Sequence, residues 1–549
     1  MNSFLARLRR GEIGAAAIVV ASGILLSRLL GIVRDMIFAA MLGSDGITDE
    51  YIAAFRIPDF ANYLLAGGFL TITFIPIFSK YLADNEEREG WDAFTSVIRW
   101  LAIGITAVIA LAWIATPFVI ERLYPDFTPA QVDSTITLTR IILPAQFAFV
   151  VGAMFAAVQY AKGVFTVPTL APIVYNLGII IGGVGWAVVT GTPDPAGFIW
   201  GALFGAFIGN FALQAWGATR VGMQIRFSTP WRHPAVKAYI LIAFPLMLGQ
   251  SIVGLDEIFM SVFGSMVGEG AQTDLQYARR TMFVPIGVIA QAAAVAAYPT
   301  LARLFAEGNR PQLLATVDKA LKYVIVMSIG AAGLVAAFTT PAVRVLYERG
   351  AFTAQDTDAV ASALFVYAFG IPVWGTLQII TRAFYAKTEM WTPVIVGTVV
   401  TFLAIPAYFV AQETLGIQGV ALASVAALAT YTLILAGIWY RPADTREGLR
   451  SVLSSAGRAI PLVVPASLVG AAIVWFITTG IIGAPAITAV LALVIGGLAY
   501  VGVVLGLGSA LYDWLWQRQA ADDAPGTSPQ LPDEPANETV THAEKIDEG

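Results

Sequence analysis

The sequence predicts an all-α integral membrane protein of about fourteen transmembrane helices: two six-helix lobes related by a pseudo-two-fold, plus two further C-terminal helices. Three observations carry this reading. Of 549 residues, 57% are hydrophobic and 13% charged, with a mean hydropathy of +0.74, whereas a water-soluble surface needs roughly twice that charge. Apolar stretches of roughly 20 residues or more recur from near residue 14 to about residue 510. Basic residues gather in alternate loops.

Taken in order, the basic segment 1–13, with Arg7, Arg9 and Arg10, is a cytoplasmic N-terminus. It leads into a first span at 14–41, which is too long for a signal peptide and lacks a small-residue cleavage site, so it reads as a retained helix. The second span, 49–80, carries Arg56 just ahead of Pro58. Spans at 95–121, 135–161, 167–190 and 196–219 complete a first lobe, 14–220. The seventh, 236–266, holds Asp256 and Glu257 at mid-span, and the eighth, 272–303, holds Arg279 and Arg280 ahead of Pro285. Spans at 317–346, 357–386, 391–412 and 415–440 complete a second lobe, 221–445. The segment 446–515 contributes spans 457–479 and 483–511, whose Gly and Ala content with almost no charge suits packing against a lobe or lipid. Residues 516–549 turn polar, Pro-rich and acidic, the composition of a disordered cytoplasmic tail.

The loops opposite the basic ones hold only Arg122, Arg344 and Arg349, so the positive-inside rule puts both termini in the cytoplasm. An even span count agrees. An internal repeat supports the lobes: Ile75-Pro76 through Asn85 returns loosely as Tyr298-Pro299 through Gly308, and Thr116-Pro117 as Thr340-Pro341. Phe127-Thr128 returns as Phe352-Thr353, and Tyr160-Ala-Lys162 as Tyr385-Ala-Lys387. The near-constant offset spans six helices, so the copies share one orientation, and in transporters of this construction the cargo site lies between the repeats.

The charges inside spans are the informative residues, because an arginine deep in a span costs about 2.5 to 3.5 kcal/mol and normally faces a partner or a water-filled cavity. The first span contains Ser27-Arg28-Leu-Leu-Gly31-Ile-Val-Arg34-Asp35. At the helical period Arg28 and Asp35 share one face, and Ser27 and Arg34 another. Snorkelling at the interface is the bland alternative for Arg34 and Asp35. Arg56 with Pro58 and Arg279-Arg280 with Pro285 place basic groups where a proline loosens equivalent helices, against the alternative of arginines that merely bridge helices. Asp256 and Glu257 are adjacent and so point apart: one balances an arginine while the other is protonated or binds a cation.

No cysteine is present and the only histidines, His233 and His542, lie outside the apolar stretches, which removes thiolate and His-metal sites. No metal site, cofactor or nucleic-acid partner is expected. A Walker lysine behind a Gly loop is missing and the loops are too short for an ATPase domain, so the expected energy source is the membrane potential, an ion gradient such as that of a monovalent cation, or a downhill partner reaction.

These residues resemble the MurJ/MviN family of bacterial lipid II flippases. The resemblance rests on Ser27 through Asp35, Thr48-Asp49, Ala54-Phe-Arg-Ile-Pro58, Tyr277-Ala278 with Arg280, Arg349-Gly-Ala-Phe-Thr353, and Phe384-Tyr-Ala386 with Thr392-Pro393. It implies the fold of the multidrug/oligosaccharidyl-lipid/polysaccharide exporter superfamily. The implied cargo is lipid II, an undecaprenyl-pyrophosphate-linked disaccharide pentapeptide, flipped across the bacterial cytoplasmic membrane. It carries cavity arginines onto Arg28, Arg34 and Arg280 and an acidic gate position onto Asp49. Beside these stand Ser27 and Arg56 as binding candidates and Asp35, Asp256 and Glu257 as gating or coupling candidates. Membrane lipids and, through the tail, cell-wall synthesis proteins are the further partners. The chain departs from the family pattern at Asn62 and Ala66-Gly67-Gly68, where members commonly carry an arginine and then Ala-Glu-Gly. The alternatives are a flippase for another undecaprenyl-linked glycan and a drug/cation antiporter of the same superfamily.

Overall fold

The computed structural model describes residues 2–65, 69–226, 228–480 and 485–522. Among them every regular element is helical. The first half comprises α1 (Asn2–Leu42), α2 (Gly46–Ala54), α3 (Arg56–Leu65), α4 (Phe69–Ala83), α5 (Glu87–Leu123), α6 (Pro129–Ile142), α7 (Ala145–Ala161), α8 (Thr166–Thr190), α9 (Pro195–Gly205) and α10 (Gln214–Arg220), with a π-helical stretch Ala206–Leu213 between the last two. There follow α11 (Pro234–Ser265), α12 (Ala271–Ile286), a π-helical turn Gly287–Gln291, α13 (Ala292–Ala306), α14 (Arg310–Ala337), α15 (Thr339–Tyr347), α16 (Ala354–Ala368), α17 (Gly370–Ala386), α18 (Trp391–Leu403), α19 (Ile405–Trp439), α20 (Arg446–Gly480) and α21 (Pro485–Asp522).

Proline explains most of the breaks. Its ring clashes with the carbonyl four residues back and it supplies no N–H to that carbonyl. Pro58, Pro341 and Pro372 accordingly end α2 at Ala54, α14 at Ala337 and α16 at Ala368. The α16–α17 junction bends by 47°. After Pro285 the helix relaxes into the π turn at Gly287–Gln291, and within α19 the chain turns at Gly416, whose φ of 57° only glycine adopts readily.

Several expected spans are therefore broken, and among the described residues eight helical segments are long and apolar enough to cross a bilayer, nine with the bent α16–α17 pair. Residues 66–68 and 523–549 lie outside the described residues, and with them the Ala66-Gly67-Gly68 departure and most of the acidic tail.

Two apolar clusters organise the packing. One joins Phe74, Phe78, Trp91 and Phe155 to Tyr239 and Ala243 at the start of α11. The other runs from Phe38, Tyr51 and Phe198 to Met260, Tyr277, Tyr347 and Tyr408. Helix α11 thus contributes its first turns to one and its last turns to the other. Helices α8 and α9 approach at Gly178 and Gly205, where a Cβ on Gly178 would lie 2.6 Å from the Gly205 Cα. Helices α20 and α21 pack on each other and against α14 and α15.

Candidate cargo-binding site

Helix α1 presents its charged residues as the helical period requires. One face turns to the second half of the chain: Asp35 Oδ1 accepts from Arg280 Nη1 at 2.6 Å, and Arg28 donates through Nη2 to Gln291 Oε1. Arg28 lies against Gly287, the first residue of the π turn, in space that a Cβ would fill. The neighbouring face turns to α8: Arg34 Nη1 donates to Asn176 Oδ1 at 2.9 Å, and Asn176 Nδ2 donates to the Ser27 carbonyl at 3.4 Å. Ser27 therefore enters the network through its backbone. Asp35 also accepts from Arg34 Nε and Nη2 at 3.0 and 2.8 Å, so one carboxylate holds arginines from two halves of the chain.

Arg56 begins α3 and is buried. It donates from Nη2 to Gln276 Oε1 at 3.1 Å and lies 3.6 Å from Glu257, while its Nε has no partner among the described residues. Arg34, Arg56, Asp59, Tyr175, Gln276 and Arg280 line a cavity of about 170 Å³ between the two halves. Guanidinium groups offer planar paired donors, and three around one cavity make a receptor for a phosphate or pyrophosphate.

Asp256 and Glu257 both engage arginine. Arg279 is ion-paired to Asp256 through Nη1 and reaches Glu257 with Nη2 at 3.9 Å. Tyr408 and Ser424 each donate a hydroxyl hydrogen bond to Asp256 Oδ1 at 2.9 Å, and Tyr63 donates to Glu257 at 3.2 Å. Adjacent carboxylates that point apart are thus spanned by one long, forked side chain.

Asp49 sits at one end of the bundle, fully buried, and caps α12 across the interface. It accepts from the Gly270 N–H at 2.7 Å, the Thr273 N–H at 2.9 Å and the Thr273 hydroxyl at 2.7 Å. A carboxylate there satisfies otherwise unpaired amides and meets the positive end of the helix dipole. Ser44 donates to Asp274 at 2.6 Å, and the Ala351 N–H donates to the Ala40 carbonyl at 2.8 Å. Gly350 lies so close to Ala40 that a side chain would not fit. The two halves are latched at this end.

Sequence reasoning passed over Asn176, Gln276, Gln291, Asp59 and Tyr63. For Asn176, Gln276 and Gln291 the available signal was a polar amide inside an apolar span, since such groups are buried only with a partner. Asn62 is half-buried on α3, away from the cavity wall.

The model of a protein family described as lipid II flippase MurJ matches residues 38–489. The chain belongs to this family. A probable lipid II flippase MurJ from Rhizobium meliloti (strain 1021) is 27% identical over 470 residues, 83% of this chain and 84% of the relative. One from Vibrio cholerae serotype O1 is 23% identical over 519 residues, 91% and 97% of the two chains. Among solved structures, a lipid II flippase MurJ in an inward closed conformation superposes with a TM-score of 0.72 at 22% identity, covering 91% of this chain and 99% of that one. An inward-facing multidrug resistance transporter of the MATE family gives 0.62 at 16% identity, over 80% and 98%. These likenesses establish the fold, and family membership makes the chain a transporter rather than an enzyme.

Proposed function

We propose that this chain flips lipid II from the cytoplasmic to the outer leaflet by alternating access, with Arg34, Arg56 and Arg280 receiving the pyrophosphate in the cavity they line and Arg28, which stands outside that lining against Gly287 and Gln291, adding its charge from the same helix as Arg34. The observation that carries the reading is the arginine cavity closed from both halves of the chain, in a member of the lipid II flippase family. Ser27 helps position Arg34 through Asn176. Asp35 holds Arg34 and Arg280 together, and the incoming phosphates replace it. The lipid tail stays in the bilayer.

The frame for this motion is fourteen spans in two pseudo-symmetric six-helix lobes, with both termini cytoplasmic and the Asp49 latch closing the outer side. Several of these spans are proline-broken, which is how helices at a transport site expose polar backbone. Asp256 and Glu257, bound to Arg279, link the second lobe to Arg56 and so to cargo occupancy. With that tethered cation between the carboxylates, the membrane potential acting on the moving charges is the favoured energy source. An arginine-lined cavity disfavours the cationic drugs of an antiporter; another undecaprenyl-linked glycan would use the same phosphate contacts. The test is depletion of the protein followed by leaflet-specific detection of lipid II: accumulation in the cytoplasmic leaflet is expected, and an unchanged distribution refutes the assignment.

A further inference from the structure

Asp59 is the one carboxylate among the described residues that line the arginine cavity. It stands in the first turn of α3, three residues after Arg56. The charges that face it are Arg56, Arg280 and Glu257. Yet its carboxylate makes no side-chain hydrogen bond and no ion pair among the described residues, because Arg280 donates to Asp35 and Arg56 to Gln276. The arginines leave Asp59 unused.

An acidic group in an anion receptor works against a bare pyrophosphate. With no arginine hydrogen-bonded to it, it is useful where the cargo brings hydrogen-bond donors, since the oxygens of a carboxyl group accept. The cavity of about 170 Å³ is far smaller than a disaccharide pentapeptide, so the part of the cargo beside Asp59 is the part next to the phosphates. In lipid II that part is the first sugar, with its hydroxyl and amide hydrogens. We propose that Asp59 is a specificity-determining residue that accepts hydrogen bonds from the sugar attached to the pyrophosphate, so that the cavity distinguishes a sugar-bearing polyprenyl pyrophosphate from a bare one. This rests on the reading of the cargo as lipid II.

The test titrates the full-length chain in lipid nanodiscs with lipid II and, separately, with undecaprenyl pyrophosphate. Asp59→Ala should weaken lipid II binding about tenfold, the loss of a hydrogen bond to a charged group, while bare pyrophosphate binding stays equal or tightens. Asp59→Asn, nearly isosteric and still carrying a carbonyl acceptor, should fall between. A parallel loss for both lipids in both variants would mean a structural role and overturn the proposal, as would unchanged lipid II binding. Arg280→Ala separates the two readings because it should weaken both lipids. If the parent binds neither lipid, or Arg280→Ala leaves both untouched, the cargo reading fails and this proposal with it. If Arg280→Ala acts on both and Asp59→Ala does not discriminate, only the Asp59 assignment falls.

Discussion

The latch at Asp49 lends itself to a quantitative test. Asp49→Ala removes the acceptor of three donors at the start of α12 in a buried site. Hydrogen bonds to a charged group contribute about 1.5 to 3 kcal/mol each, and loss of a helix N-cap costs about 0.5 to 2 kcal/mol. These contributions overlap, and water entering the vacated space re-pairs part of the amides, so a net loss of about 2 kcal/mol from the latched state is expected, or about thirtyfold in the equilibrium. A latch closed ~99:1 would fall to about 3:1. Asp49→Asn should lie between, because one amide oxygen still accepts from Thr273 while the NH2 group opposes a backbone donor. The natural sequence has no cysteine, so spin labels can be placed without background at Asp133→Cys on α6 and Asp358→Cys on α16, both exposed. Pulsed electron resonance should show a second, longer distance growing to about a quarter of the molecules in Asp49→Ala. A distance distribution identical to the parent would refute the latch.

Four further outcomes are expected. Arg28→Ala, Arg34→Ala and Arg280→Ala should each abolish or strongly impair complementation at normal protein level, and lysine should restore less than its charge implies because the paired donors are lost; full activity of all three alanine variants would remove the phosphate site. Arg279→Met should lower stability by about 3 to 5 kcal/mol by leaving Asp256 without its cation, while Glu257 keeps Arg56, and adding Asp256→Asn should recover part of it, as read by thermal unfolding in detergent. Asp256→Asn alone should slow lobe switching while leaving headgroup binding nearly unchanged, whatever the sodium level in liposomes. For topology, Thr192→Cys should react with an impermeant reagent in intact cells and Gln224→Cys should not; labelling at Gln224 would reverse the orientation.

How far the site was legible depended on the kind of information needed. The prediction that Arg28 and Asp35 share a face while Ser27 and Arg34 share another follows from the helical period, and the structure puts the first pair toward Gln291 and Arg280 and the second toward Asn176. Asp59 was overlooked because it follows Pro58 in a stretch read for its arginine, and nothing local distinguishes a carboxylate that lines a cavity from one that faces solvent. The expectation that one of Asp256 and Glu257 would be left for a proton or a cation did not foresee that Arg279 spans both.

What the sequence by itself determined is a helical membrane protein, the loosening of two equivalent helices at Pro58 and Pro285, and the direction each charged side chain leaves its own helix. These depend on composition, on proline's clash with the carbonyl four residues back, and on a fixed rotation per residue, all of which act within a few residues along the chain. Only the tertiary structure decided which charges meet. Asp35 joins Arg34, its immediate neighbour, to Arg280, 245 positions away, and Asp49 caps a helix that begins 222 residues later. Such pairings depend on the relative rotation and depth of packed helices. Those are set by the combined fit of many apolar side chains and close glycine contacts, so no local pattern contains them.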